Sequence, residues 1–178
     1  MCKKGRRKDF HSNKIIKMNI KDLDTSKLLY DLSQKDKDGE LHHEDICGEH
    51  IGTGAHRKVY VFKYNPDWVV KVARESMGQL MRSKGTPRNG VSSNRKEMEV
   101  WRISDKKFRK DWFAPAIWIS EKGDILLMQR GERRGRKGKR PKWFKDGGAK
   151  NWVTINKKTV ICDYGGGDIL RYIKKQQK

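Results

Sequence analysis

Five short stretches of the chain carry side chains whose types and spacing suit work on a phosphorylated ligand. The first is Ile51-Gly52-Thr53-Gly54-Ala55-His56-Arg57-Lys58-Val59-Tyr60. Two glycines separated by one residue let a backbone come close to a phosphate and present N–H groups to it. No G-K-[ST] follows, so this is not a Walker A loop. The third glycine of a dinucleotide fingerprint is missing, and a strand-like run follows where that motif needs a helix. The same residues also suit an ordinary hairpin turn. The second stretch, Val69-Val70-Lys71-Val72-Ala73, sets a lysine inside a buried-type strand, which is costly unless the ammonium is paired or faces a cleft. Lys71 is either a cation for nucleotide phosphates, held by a carboxylate, or an edge-strand lysine pointing to water.

In the third stretch, Asn94-Arg95-Lys96-Glu97-Met98-Glu99-Val100-Trp101, Glu97 and Trp101 share a helix face. If Trp101 packs on a sheet, Glu97 is directed towards that sheet and towards Lys71, and Glu99 lies on another face. A solvated glutamate is the plain alternative. The last two stretches are the most specific. Asp146-Gly147-Gly148-Ala149-Lys150-Asn151 has the form D-x-x-x-x-N, and Cys162-Asp163-Tyr164-Gly165 ends an apolar run further on. Carboxylate and amide oxygens are hard ligands suited to Mg²⁺. An aspartate that ends a strand before an aromatic residue and a glycine is poised to reach a metal ion.

The elements that must position these residues are legible in outline. The stretch Ile20–Leu32 places Leu23, Leu28, Leu29 and Leu32 at roughly helical spacing, with Asp24 or Thr25 as N-cap. Asp36–Gly39 reads as a turn and His42–Ile46 as a short helix. From Ile51 the pattern turns to strands: Val59–Phe62 and Trp68–Val72 form a hairpin across Asn65-Pro66-Asp67. Ser76–Val91 is loop-like, and Ser92–Ile103 is helical with Ser93 as a cap. Ala116–Ser120 and Asp124–Gln129 make a second hairpin across Glu121-Lys122-Gly123. Gly131–Lys142, rich in Arg, Lys and Gly, is expected to be a flexible loop. Trp152–Ile155 and Thr159–Cys162 flank Asn156-Lys157, and Asp168–Lys178 reads as a short basic helix.

The chain of 178 residues has room for one domain, and its hydrophobic fraction of 34% beside a charged fraction of 37% fits a compact core with a solvated periphery. Six Trp argue against a disordered chain. Residues 1–18 read as a flexible basic arm and 19–178 as a single domain. Within it lie a helical lead-in (19–50), a nucleotide-binding core (51–130), the basic loop (131–142), catalytic and metal loops (143–167) and a basic tail (168–178). Lys and Arg number 43 against 22 Asp and Glu, a formal net charge of +21, which favours an acidic protein or nucleic acid as partner. Three widely separated cysteines give neither a C-x-x-C zinc pair nor a disulfide framework, and suit a reducing cytoplasm. No apolar run approaches the length of a membrane span and no signal peptide is recognisable, so no membrane partner is expected.

Taken in order, the motifs resemble those of protein kinases: G-x-G loop, V-V-K-V strand, helix glutamate, a hydrophobic strand leading to a hinge, D-x-x-x-x-N, then D-Y-G in the place of D-F-G. The resemblance covers about residues 50–167. It extends to small bacteriophage kinase-like proteins, which share the Asn-x-x-Glu-x-x-x-Trp stretch, a segment like Phe113-Ala114-Pro115, and C-D-Y-G. It implies an α+β fold with an antiparallel sheet like a kinase N-lobe, one packed helix, and a strongly reduced C-lobe. It further implies ATP and Mg²⁺ as cofactors and phosphoryl transfer to a protein acceptor, in the host cytoplasm if the protein is phage-encoded. Carried over, Gly52 and Gly54 would cover the phosphates, and Lys71 would contact them with Glu97 holding it. Leu127, Met128 and Gln129 would line the adenine side. Asp146 would orient or deprotonate the acceptor, and Asn151 and Asp163 would bind Mg²⁺. Phe144-Lys145 stands where kinases have His-Arg, and little chain separates the hinge from Asp146. These departures suit the alternative of a catalytically weak scaffold that binds an acidic partner through its basic surface.

Overall fold

The computed structural model describes residues 24–74, 90–133, 141–145 and 148–176. Its centre is a five-stranded antiparallel sheet in the order β1-β2-β3-β5-β4, formed by Cys47–Thr53 (β1), Arg57–Phe62 (β2), Trp68–Ala73 (β3), Ala116–Ile119 (β4) and Ile125–Gln129 (β5). The molecule is therefore α+β. β3 lies in the middle of the sheet, between β2 and β5, with Val69 opposite Met128, Val70 opposite Leu127 and Lys71 opposite Leu126.

Alternation along the strands gives the sheet two apolar faces. On one, Val70, Ile125, Leu127 and Phe62 pack with Leu32 and Ile46. The amphipathic helix α1 (Thr25–Lys37) covers this face, after the short helix-forming turn of Asp24, whose side chain accepts from the Ser26 amide. Trp118 Nε1 donates to Ser33 Oγ (2.9 Å) and the Glu121 amide donates to Asp36 Oδ2 (2.7 Å), fixing α1 along the β4–β5 hairpin. The helix runs further than the sequence reading gave, to Lys37, because Lys35 and Lys37 suit the negative end of the helix dipole. The short helix α2 is His43–Ile46.

The other face carries Val69, Leu126 and Met128, and beneath it lies the larger core. Helix α3 (Gly90–Ile103) packs there through Met98 and Val100. It starts at Gly90, so Ser93 stands inside the first turns and is not the cap expected from the sequence. Gly90 is required by closeness: a Cβ would stand 2.6 Å from Ala73 Cα and 2.4 Å from the His56 carbonyl oxygen. The hairpin of β6 (Trp152–Ile155) and β7 (Lys158–Ile161) turns at Asn156 and Lys157, both with positive φ, as an I′-type turn needs. It joins the body through the Ala114 amide, which donates to Ile161 O, and through paired amides of Glu132 and Thr154. Helix α5 (Gly167–Gln176) closes this core with Ile169 and Ile173 and holds α3 by a Lys174–Glu99 ion pair of 2.7 Å.

Two further elements differ from the sequence reading. β1 begins at Cys47 rather than Ile51, since Gly48, Glu49 and His50 sit on an exposed sheet edge where no apolar alternation is demanded. Helix α4 (Lys106–Trp112) follows α3, opened by Asp105, whose carboxylate accepts from the Phe108 amide (2.9 Å). The loop expected at 76–91 falls mostly outside the described residues, as do the arm 1–18 and residues 134–140 of the basic loop. Among the described residues no helix is long and apolar enough to cross a membrane.

Candidate functional site

Lys71 is the starting point. Because β3 is central, the edge-lysine alternative does not apply, and the side chain is 5% exposed. A buried ammonium demands partners. Its Nζ donates to Glu97 Oε2 at 2.8 Å and to the Cys162 carbonyl. Glu97 is fully buried, reaching down from α3 to the sheet, whereas Glu99 on another face is solvent-accessible and bonded to Lys174.

Glu97 holds a second cation. Arg57, the first residue of β2, is 8% exposed. Its Nη2 donates to Glu97 Oε1 at 2.9 Å and to Asp163 Oδ1 at 2.7 Å, and its Nη1 to Asn94 Oδ1 at 3.3 Å. Asn94, one turn before Glu97, is fixed by donating to the carbonyls of Gly123 (3.0 Å) and Asp124 (3.1 Å). Lys71 and Arg57 thus face Glu97 and Asp163 in a cluster whose formal charges cancel. Three of its members are buried, while the Asp163 side chain is half exposed.

The electrostatics follow from that arrangement. Burial by itself would favour the neutral form of Asp163, but Arg57 and Lys71 override it and hold the carboxyl below its usual range. Burial likewise works against charge on Arg57, and Glu97 and Asp163 outweigh it, so the guanidinium is held charged.

The motif Cys162-Asp163-Tyr164-Gly165 is used residue by residue. The Cys162 carbonyl accepts from Lys71, and burial pushes the Cys162 thiol pKa up. Asp163 meets Arg57. Tyr164 is fully buried, its hydroxyl donating to the Ala114 carbonyl (2.8 Å) and its ring 4.6 Å from that of Phe113. Gly165 passes against α3, where a Cβ would stand 2.6 Å from the Ser93 carbonyl oxygen. Lys71, Glu97 and Asp163 therefore come together, with Arg57 as the link between the two acids.

The other candidates are placed as follows. Gly52 and Gly54 bracket the end of β1, and neither has a positive φ. The Gly54 amide donates to Arg57 O (2.8 Å), and a Cβ on Gly52 would lie 3.5 Å from Arg133 Nη2. Met128 is wholly inside the core, whereas Gln129 lines an open groove of about 710 Å³ with Ile51, Arg130, Arg133, Thr154 and Ile155. Asn151 is buried (1% exposed) in the 3₁₀ turn before β6, its carbonyl accepting from the Cys162 amide (2.8 Å). Asp146 lies outside the described residues.

Magnesium was expected on Asn151 and Asp163. Their oxygens suit that ion; the Cys162 amide bonds the Asn151 carbonyl, which sets Asn151 across from the residue before Asp163, with Asn151 buried and the Asp163 side chain half exposed. Asp163 already carries a guanidinium on Oδ1, so a metal ion there would have to share that carboxylate or displace the guanidinium. Among the described residues no three His, Cys, Asp or Glu side chains group together as metal ligands. A cation here would depend on oxygens from its ligand as well.

Arg57 and Asn94 are the site residues that sequence reasoning assigned no role. What sets Arg57 inward is the observed register, in which Arg57 and Val59 share a face of β2, opposite Ala73 and Lys71 of β3. No family model matches this chain, and no curated protein matches it.

Proposed function

We propose that the chain is an ATP- and magnesium-binding, kinase-like phosphotransferase acting on a protein acceptor in the cytoplasm. The observation that carries this reading is the ion-paired set of Lys71 on the central strand, Glu97 on the helix packed beneath it and Asp163 after β7. In this reading the five-stranded sheet with α3 is the nucleotide-holding lobe, and α4, the β6–β7 hairpin and α5 are a strongly reduced second lobe. Catalysis of this kind rests on positioning and charge neutralisation, for which few residues suffice.

Lys71 spends two of its three N–H donors on Glu97 and the Cys162 carbonyl, leaving one for a phosphate oxygen. Glu97, unable to move away from the buried cations it serves, keeps the ammonium in place. Gly52 and Gly54, without side chains, would let the β1–β2 turn approach phosphates, and Gln129, which lines the groove, would meet the base. Asp163 and Asn151 would hold magnesium, whose chemistry is to neutralise phosphate charge. Asp146 would orient the acceptor hydroxyl.

One observation favours a second reading. Asp163 is already neutralised by Arg57, as it would be in a scaffold that no longer turns over and instead binds an acidic protein or nucleic acid through its +21 charge. Incubation with γ-labelled or α-labelled ATP, with and without cell extract, separates the possibilities. The proposed function requires label from the γ position only, lost in Lys71→Met. Label from the α position means nucleotidyl transfer, and no label from either means a scaffold.

A further inference from the structure

The cation that faces Asp163 in this fold belongs to the chain itself. Arg57 leads into β2 on the face shared with Lys71, is almost wholly buried, and has its planar group fixed on three sides by Glu97, Asp163 and Asn94. Asn94 cannot turn away, because its own amide donates to the Gly123 and Asp124 carbonyls. A guanidinium suits this place where an ammonium would not, since its forked N–H groups reach two carboxylates and an amide oxygen at once.

The charges then decide what else can bind. Lys71 and Arg57 cancel Glu97 and Asp163, so the cluster offers no net negative charge to an incoming ion. Of the two acids only Asp163 is open to solvent, with half its side chain exposed, and its Oδ1 is occupied. A divalent ion on that carboxylate would stand within a few ångströms of the guanidinium, where like charges repel strongly in partly dehydrated surroundings. With Arg57 absent, the remaining three charges sum to −1 and Asp163 becomes a free hard ligand.

We propose that Arg57 controls metal access to this site: its guanidinium and a divalent metal ion are alternative occupants of the Asp163 carboxylate, and the resting protein holds the guanidinium. The inference deepens the proposed function and rests on Asp163 being the metal carboxylate. Its test uses a metal alone and therefore stands or falls apart from phosphoryl transfer.

The full chain is titrated with Mn²⁺, free ion being followed by electron paramagnetic resonance, as wild type, Asp163→Asn, Arg57→Gln and the double variant. Wild type and Asp163→Asn should agree within threefold, and Arg57→Gln should bind at least threefold more tightly, with Asp163→Asn in that background removing the gain. A wild-type affinity more than threefold above that of Asp163→Asn overturns the proposal, as does a smaller gain in Arg57→Gln. A second measurement needs no variant and decides the matter if Arg57→Gln does not fold. In the wild-type chain, the Arg57 Nη–H groups, which carry the bonds to Glu97, Asp163 and Asn94, are followed by ¹⁵N NMR while Mg²⁺ is raised. Protection from exchange that persists without metal binding, or is lost in step with binding at Asp163, is the expected behaviour. Metal bound at Asp163 with Arg57 still protected overturns it.

Discussion

Replacing Glu97 with Gln keeps the shape of the side chain and removes its charge, leaving Lys71 and Arg57 buried with only the half-exposed Asp163 to balance them. The cluster passes from neutral to +1. Removing one partner of a buried ion pair costs about 3–5 kcal/mol, because the charge left behind cannot return to water. Asp163→Asn removes an equal charge at a half-exposed position, where pairing is worth about 0–1 kcal/mol. Set against a total stability of about 5–15 kcal/mol, the first change consumes a large share and the second little. With a urea slope of about 2 kcal/mol per molar, the unfolding midpoint, read from Trp fluorescence, should fall by about 2 M in Glu97→Gln. Lys71→Met added to Glu97→Gln restores neutrality, so the double variant should be more stable than the sum of the single losses by about 2 kcal/mol or more. Additivity within about 0.5 kcal/mol would refute the reasoning, as would equal losses in Glu97→Gln and Asp163→Asn.

Two further outcomes follow from the same geometry. Gly165→Ala drives a methyl to 2.6 Å from the Ser93 carbonyl oxygen, backbone that cannot swing away, so it should cost about 1–3 kcal/mol in urea unfolding; an unchanged midpoint would mean that α3 is not packed on this turn. Asp163 has a folded pKa below its ordinary value near 3.8, so its contribution is fully present above that value and is lost as pH falls through the folded pKa. The stability difference between wild type and Asp163→Asn should accordingly shrink below about pH 3.8, and a difference as large in strong acid as at neutral pH would contradict the ion pair with Arg57.

The residues of the site were readable where chemistry and periodicity agreed. Lys71 in an apolar run and Glu97 one turn before Trp101 allowed a buried pair beside the alternatives of an edge lysine and a solvated glutamate, and the strand-ending Asp163 was read for a metal ion, where the structure gives it Arg57. Arg57 escaped because one arginine beside a glycine turn looks the same whether it points to water or inward; only the pairing of Arg57 with Ala73 and of Val59 with Lys71 puts it inside. α4 escaped for a different reason. Seven residues with a single pair of aromatics, Phe108 and Trp112, are too few for a helical period, and the cap from Asp105 was the stronger sign. At β1 the register shifts of an exposed edge blur any alternation, so its first residues carried no strand signal.

The central claim is that Lys71 holds nucleotide phosphates beneath the Gly52–Gly54 turn. Equilibrium binding of a fluorescent ATP analogue, measured by anisotropy on wild type and Lys71→Met with unlabelled ATP as competitor, tests it most directly. Saturable binding that ATP displaces, weakened at least tenfold in Lys71→Met while the variant remains folded, is the expected result. Failure of the wild-type chain to bind, or equal binding by the two folded proteins, would contradict the claim.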